Sequence, residues 1–125
     1  MERYINQIKS TDLQAGEVLF SKTLTTHLLL FVFTGALLIR IAKNNRELKV
    51  GKGHFILLAA DIHCTATAAA ASHLLFMQPG SLSKMIVDDP EWNPECPVVL
   101  PILPALEHTL RQIEYYQKEV YYKLN

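Results

Sequence analysis

The residues with the clearest chemical potential are five histidines: His27, His54, His63, His73 and His108. Two histidines bind one metal ion most readily at i,i+2 on a strand or at i,i+4 on a helix, and no pair here has either spacing. The sequence also contains no HExxH, no phosphate-binding glycine loop and no nucleophile elbow. We therefore predict no metal site. The histidines near strand ends (His27, His63 and His73) are expected to be hydrogen-bonded structural residues or polar contacts of a pocket.

The acidic residues that stand closest together are Asp88, Asp89, Glu91 and Glu95, in a segment rich in proline. Their neighbours are turn formers, so these carboxylates are typical of solvated loop charges. The pattern does not bring together a nucleophile, a base and a group that would orient the base. The sequence therefore predicts a protein that is not an enzyme, with no catalytic residue and no cofactor.

Charge, cysteine content and hydropathy exclude further classes. Lys and Arg number 12, Asp and Glu number 12, and the net charge is +0. Nucleic-acid surfaces usually have a basic excess, so contact with DNA would need a domain that is not in this chain. Cys64 and Cys96 match no metal or redox spacing, which favours a cytoplasmic protein with reduced thiols. The apolar stretch 28–39 is too short to span a membrane and the stretch 55–77 contains Asp61, so no membrane contact is predicted.

Short apolar runs separated by turn residues predict a mainly β protein from position 17 to position 78. Asn44 and Asn45 tolerate the positive φ of a tight turn, so the strands on either side are expected to form a hairpin. The alanines of 66–71 also suit a helix, but the flanking β pattern favours a strand that enters a loop. The predicted strands cover residues 18–20, 28–33, 36–42, 47–50, 55–58, 63–68 and 73–77.

The last third of the chain has a different character. Residues 79–100 are rich in proline and predict an ordered connection that runs over the barrel, anchored by Met85, Ile86, Val87 and Trp92. Pro104 then begins a helix, because proline is tolerated in the first turn.

This helix carries an apolar seam with spacings of 4, 3, 7 and 4, which is typical of a contact between two helices. The four tyrosines of 115–122 enlarge the apolar surface. We predict a homodimer formed through the seam, while a helix packed on the barrel of its own chain is the alternative. The seam consists of Leu106, Leu110, Ile113, Val120 and Leu124.

The order of these elements resembles the cupin family. The residues that carry the resemblance are Thr34-Gly35, the hairpin that follows, and the run from Gly53 to His63. More narrowly, residues 18–124 resemble the N-terminal sensing domain of bacterial AraC-type transcription regulators. That resemblance implies a double-stranded β-helix, or jelly-roll barrel, over residues 1–100 including the connection 79–100. It also implies a C-terminal dimerisation helix over 101–125 and a separate DNA-binding domain absent from this chain.

The chain departs from enzymatic cupins at the metal-binding positions that the resemblance implies. With Gly35 as the last glycine of the first motif, the glutamate position holds Leu28, and no histidine pair stands at 21–24. With Gly53 as the first glycine of the second motif, the histidine position holds Cys64. His63 misses that position by one residue, and strand alternation points it to the opposite face. A one-residue bulge would restore it; without one, the metal triad and its oxygenase or isomerase chemistry are missing.

Strand alternation also predicts which side chains face the barrel interior. Small alanines opposite leucines leave room for a small ligand, such as a sugar or another metabolite. The alternative is that other side chains fill this space and the barrel is solid. The predicted ligand-binding residues are Leu28, Leu30 and Val32 on one strand and Cys64 and Ala66 on another, with Ala68 on the same face.

Two functions follow from these observations. The first is the non-catalytic regulatory domain of an AraC-type regulator, which senses a small-molecule effector and dimerises through its C-terminal helix. The second is a small cupin enzyme, either a metal-dependent oxygenase or a sugar isomerase.

Overall fold

The computed structural model describes residues 8–77 and 92–124, with side chains for residues 9–77 and 92–115. Met85, Ile86, Val87, Asp88, Asp89 and Glu91 lie outside the described residues, as do the side chains of Val120 and Leu124. The described strands are β1 (Ile8–Leu13), β2 (Val18–Thr23), β3 (Leu28–Thr34), β4 (Ala36–Ile41), β5 (Arg46–Gly51), β6 (His54–Leu58), β7 (His63–Ala68), β8 (Ser72–Met77) and β9 (Leu100–Pro101), and the helix is α1 (Pro104–Leu124).

The strands form two antiparallel sheets. The strand order is β1-β8-β3-β6-β9 in one sheet and β2-β7-β4-β5 in the other. Many partners are distant in sequence, because β3 lies between β6 and β8 while β2 pairs with β7. Two antiparallel sheets connected in this way form a jelly roll. The prediction of a mainly β chain with a C-terminal helix is therefore confirmed.

The local turn chemistry agrees with the sequence. Asn45 has a φ of 52° in the turn between β4 and β5, and the two strands pair from Ile41 opposite Arg46 to Ala36 opposite Gly51. The alanine run behaves as a strand that enters a loop, since β7 ends at Ala68 and a bend follows. Both interpretations are confirmed.

Gly35 joins β3 to β4 at a point where no larger residue fits. Its φ is 84°, and a Cβ atom there would lie 2.2 Å from Ser72 Oγ. Ser72 is buried and bonds the same turn, because its hydroxyl accepts a hydrogen bond from the Ala36 N–H at 3.0 Å and donates to the Ala70 carbonyl at 2.7 Å. The close approach of the two loops therefore requires glycine.

An inner core fills the space between the two sheets. It is almost entirely aliphatic, and its β7 members are small. Ile39 and Ala66 are fully buried, and Cys64 is 1% exposed. We call this cluster the inner core; its central members are Leu30, Val32, Leu37, Ile39, Ile56, Cys64, Ala66 and Leu74.

An outer core lies on the other face of the five-stranded sheet, beneath α1. The odd-numbered residues of β3 face it, while Leu30 and Val32 face the inner core. Because β3 is covered on both faces, its sequence is a continuous apolar run instead of an alternating one. We call this cluster the outer core; its central members are Leu29, Phe31, Phe33, Phe55, Leu57, Leu75, Ile102 and Leu110.

The apolar seam of α1 packs on its own chain wherever its side chains are described. Leu110 is 2% exposed, and Leu106 and Ile113 pack against the outer core. This is the packing alternative for these three residues, and their part in a dimer contact stays a prediction. They are occupied within one chain because the five-stranded sheet presents an apolar outer face that needs a cover. Val120 and Leu124 stay as predicted dimer residues.

Two strands were missed by the sequence pattern. β1 has the polar sequence IKSTDL and is an edge strand that pairs with β8 alone. β9 comprises only Leu100 and Pro101 and pairs with His54 and Phe55. A short or exposed edge strand needs no apolar alternation, so neither has a signal of its own. β9 also crosses the predicted boundary between 1–100 and 101–125, which stays a prediction.

Candidate effector cavity

A cavity of about 350 Å³ opens between the edge strands β1 and β2, where β3 begins and β8 ends. A volume of this size lies at the lower end of the range for small-molecule sites. Residues from both sheets and from the β2–β3 loop form its wall: Lys9, Leu19, Phe20, Lys22, Leu24, Thr25, Thr26, Leu28, Phe76 and Met77.

The cavity has an apolar floor. Leu19, Phe20, Leu28 and Phe76 are half-buried or nearly so and pack against the inner core. Leu24 is 4% exposed, and it holds the β2–β3 loop in place by bonding across to the β6–β7 loop. Its N–H donates to the Ile62 carbonyl at 3.3 Å, and its carbonyl accepts from the Asp61 N–H at 2.8 Å.

The rim of the cavity is cationic. Lys9 of β1 and Lys22 of β2 are exposed and line the same opening. Among the described side chains, no carboxylate lies within ion-pair distance of either lysine. Thr25 and Thr26 add hydroxyl groups beside them. Two ammonium groups above an apolar floor suit a ligand with an anionic head and an apolar body.

The predicted ligand-binding residues face inward, as alternation requires, but only Leu28 reaches the cavity. Leu30, Val32 and Ala66 are fully buried in the inner core, and Cys64 is 1% exposed there. The alanines of β7 are buried within the inner core and leave no open space there. This part of the barrel interior is therefore solid, as the alternative prediction has it. The structure therefore brings one of the five residues to the cavity and places four in the packing beneath it.

Burial also controls the chemistry of Cys64. Loss of solvation raises the pKa of its thiol, because burial penalises the charged thiolate. The thiol donates a long contact to the Ile62 carbonyl at 3.8 Å. Cys64 thus packs as a small apolar side chain with a buried thiol.

His63 and Cys64 keep the alternation that the sequence predicts. His63 is exposed, and its Nδ1 lies 3.4 Å from Thr23 Oγ1 on the outer face of β2. No bulge returns it to the interior, since β2 and β7 pair regularly from Phe20 to Thr23. Over residues 8–77 and 92–124, no three His, Cys, Asp or Glu side chains converge as metal ligands would.

The other strand-end histidines have structural partners. His27 Nδ1 accepts a hydrogen bond from the Ala60 N–H at 2.9 Å, and its ring meets Trp92 edge-on at 5.8 Å. Trp92 packs against the outer core, which confirms its prediction as an anchor. His73 contacts carboxylates on β1 and α1. His27, His63 and His73 do not line the cavity.

Sequence reasoning missed Lys9 and Lys22, the residues that give the cavity its charge. Lys9 lies on the unpredicted strand β1, and Lys22 lies beyond the predicted end of the strand at 18–20. Each is an isolated surface lysine in sequence, and they face one opening only because β1 and β2 are edge strands of two different sheets. No local pattern carries that information.

No protein-family model matches the chain, and no curated protein sequence matches it. Solved structures do match. ToxT from Vibrio cholerae superposes with a TM-score of 0.60 at 6% identity over 86% of this chain and 47% of ToxT. A cupin 2 conserved barrel domain protein from Leptotrichia buccalis has a TM-score of 0.52 at 18% identity over 57% of this chain and 33% of its own.

A ToxT structure with a bound unsaturated fatty acid, from strain SCE256, has a TM-score of 0.56 at 7% identity over 82% of this chain and 43% of that one. These similarities show the fold alone: the described residues form a cupin-type barrel. The chain spans about half the length of ToxT and a third of the Leptotrichia protein. Among the described residues, no helix is long and apolar enough to cross a membrane.

Proposed function

We propose that this chain is the effector-sensing and dimerisation domain of a cytoplasmic, bacterial AraC-type transcription regulator, and that the effector occupies the cavity between β1 and β2. The cavity carries the proposal, because it is a concave site with an apolar floor and cationic rim. DNA is contacted only through a domain outside this chain.

The extent of the structural similarity supports a regulator. The cupin 2 protein matches 57% of the chain, whereas ToxT, an AraC-family regulator, matches 86%. A barrel packed against a long helix is the arrangement that a sensing domain needs if the ligand is to change the position of another element. Such a ligand acts through its different affinity for two arrangements of the helix.

The lining of the cavity favours a carboxylic acid with an apolar body over a sugar. A sugar needs several aligned hydrogen-bonding side chains, whereas half-buried leucine and phenylalanine side chains form the floor here. Lys9 and Lys22 suit a carboxylate. One ToxT structure holds an unsaturated fatty acid and another holds a naphthalenyl butenoic acid, both of which have this chemistry.

The non-catalytic part of the proposal rests on the residues at the metal-binding positions of enzymatic cupins. Leu28 and Cys64 stand there, and Cys64 is a buried thiol whose pKa is raised. His63 faces outward. Leu28 has no donor atom, the Cys64 thiol is buried, and His63 is exposed, so these positions do not support the enzyme alternative.

The effector class is tested by calorimetric titration with palmitoleate. We expect binding by the wild-type chain and a loss of about tenfold or more in affinity for the double variant Lys9→Gln and Lys22→Gln, because charge-assisted hydrogen bonds to the carboxylate are lost. Lys49→Gln, on β5 and away from the cavity, is the matched control and should bind like the wild type. The methyl ester of palmitoleate has no carboxylate, so its affinity should be the same for the double variant and the wild type. Binding of arabinose in place of palmitoleate, or equal palmitoleate affinity in both proteins, contradicts the proposed ligand.

Dimerisation is tested at the last two residues of the predicted seam, Val120 and Leu124. We expect Val120→Glu combined with Leu124→Glu to convert a dimer to a monomer in light scattering, with an unchanged circular dichroism spectrum. The same substitutions at Leu110 and Ile113 would uncover the outer core and are not a clean test. A wild-type monomer, or an unchanged dimer in the variant, contradicts dimerisation through the end of α1.

A further inference from the structure

A histidine bridges the barrel and the helix. His73 lies on β8, and its Nδ1 is 2.7 Å from Asp12 Oδ1 on β1. Its Nε2 is 2.8 Å from Glu114 Oε1 on α1. Both ring nitrogens therefore face carboxylates, one on the sheet and one on the helix that covers it.

Only one protonation state of the ring satisfies both contacts. A carboxylate accepts hydrogen bonds and donates none, while a neutral imidazole has a single N–H. A neutral ring would leave a nitrogen lone pair facing one of the two carboxylates, which is repulsive. The imidazolium has two N–H groups and donates to both.

The contact with Glu114 is the more shielded of the two. The side chains of His73 and Glu114 are 23% and 11% exposed, whereas that of Asp12 is 84% exposed. Water can therefore solvate Asp12 when its partner is lost, but it reaches Glu114 poorly. Loss of a ring proton consequently weakens the attachment of the helix more than it weakens the sheet.

The surroundings of the ring hold it in position. It stacks on Phe33 of β3, with ring centroids 5.8 Å apart and planes 28° apart. The Arg111 guanidinium of α1 lies 4.6 Å above the centre of the same Phe33 ring and pairs with Glu107. Among the described residues, the charged groups that face His73 are thus Asp12 from β1 and Glu114 from α1, with Arg111 beyond the Phe33 ring.

We propose that Asp12, His73 and Glu114 form a proton-dependent latch that holds α1 on the barrel. With the ring protonated, His73 joins β1, β8 and α1. When the pH rises and the ring loses a proton, the contact between His73 and Glu114 weakens while the contacts of α1 with the outer core remain. The apolar contacts of Leu106, Leu110 and Ile113 keep the helix attached to the barrel.

The latch shares its two strands with the cavity. Lys9 pairs with Phe76 in the antiparallel β1–β8 register, and Asp12 pairs with His73 three residues away on each strand. Lys9, Phe76 and Met77 line the cavity. The latch therefore attaches α1 to the strand pair that forms one cavity wall. The latch itself does not depend on the nature of the ligand or on a regulatory role.

Hydrogen exchange of the full chain tests the latch. Exchange of the α1 amides over residues 104–115 is measured at pH 5.5 and pH 8.0 and corrected for the intrinsic pH dependence of exchange, with β3 and β6 as internal references. We expect α1 protection to fall roughly tenfold, relative to the references, between the lower and the higher pH. Glu114→Gln should abolish this difference, because a side-chain amide can either donate to the ring nitrogen or accept from it.

His108→Gln is the matched control, since His108 is an exposed histidine on the same helix and its variant should keep the pH difference. His73→Gln gives an independent readout if Glu114→Gln does not fold, and it should also make α1 protection independent of pH. Wild-type protection that does not change with pH overturns the latch. So does a pH difference that persists in His73→Gln.

Discussion

The inner and outer cores are built on opposite faces of the same strand, β3, yet they are closed in different ways. The inner core is aliphatic and lies between two hydrogen-bonded sheets. The outer core is rich in aromatic rings, including Phe31 stacked on Phe55 at 5.2 Å, and a helix covers it. Polar groups border the helix side, where His73 and Arg111 contact Phe33 and Glu114 contacts His73. In the described part of the chain, side-chain contacts hold α1 on the sheet, so its place can change at a smaller free-energy cost than that of a strand.

Because of this difference, we expect the inner core to determine the stability of the protein and α1 to be the element that can change position. A central strand of the inner core cannot move without breaking backbone hydrogen bonds on both sides, whereas a helix keeps its own hydrogen bonds when it shifts. The cavity adjoins the inner core, and the latch borders the outer core. Three predictions test this division, from the largest expected effect to the smallest.

Leu30→Ala should destabilise the whole protein. Leu30 is fully buried in the inner core, and removing a buried leucine side chain leaves a cavity between two sheets that collapse poorly. We expect a loss of about 3–5 kcal/mol in the free energy of unfolding, measured with urea. Leu103→Ala is the control, since Leu103 is 66% exposed and should change stability by under about 0.5 kcal/mol. A Leu30→Ala loss as small as the control's would mean that the inner core is not closely packed.

Leu110→Ala should act mainly on the helix. Leu110 lies on the buried face of α1 and is 2% exposed. The helix can move toward the space that the substitution leaves. We expect a loss of about 2–3 kcal/mol, with hydrogen exchange showing reduced protection in α1 and near-normal protection in β3 and β6. Gln112→Ala, at an exposed position of the same helix, should leave both unchanged. Equal loss of protection in strands and helix would show that the two cores unfold as one unit.

The pH dependence contributed by Cys64 should be the smallest effect. Burial raises the pKa of its thiol, so the folded protein retains the proton at a pH where the unfolded chain loses it. This contribution is complete below the ordinary thiol range and is lost as the pH rises above it. Urea unfolding at pH 7 and pH 10 should show a steeper decline in the wild type than in Cys64→Ala. Cys96→Ala should keep the wild-type decline because Cys64 is still present; a shallower decline in that variant would assign the effect to the other thiol.

The sequence predicted elements well where the residue pattern is local. β7 at His63–Ala68 has the predicted bounds, and its alternation correctly separates exposed His63 from buried Cys64. The turn at Asn45 and the helix that begins at Pro104 are also as predicted. In each case the signal lies within a few residues of the structure that it specifies, so no knowledge of distant partners is needed.

The candidate site was predicted less well. Leu30, Val32, Cys64 and Ala66 do face inward, but whether an inward face leaves a space depends on the volumes that the other sheet supplies. The cavity formed instead at the edge, between β1 and β2, where each sheet lacks a further strand on that side. The apolar seam of α1 has the same ambiguity, because its spacing suits either a partner helix or the outer face of a sheet.

The amino-acid sequence by itself determined the strand periods, the turn positions, the extent of α1 and the direction in which each strand side chain points. Those properties depend on neighbours a few residues away, through backbone sterics and the alternation of a strand. Only the tertiary structure decided that Lys9 and Lys22 share one opening and that His73 lies between Asp12 and Glu114. These groups come together through pairing across long stretches of chain, as in Asp12 opposite His73. Such pairing follows from how two sheets and a helix bury apolar surface together, which no single segment encodes.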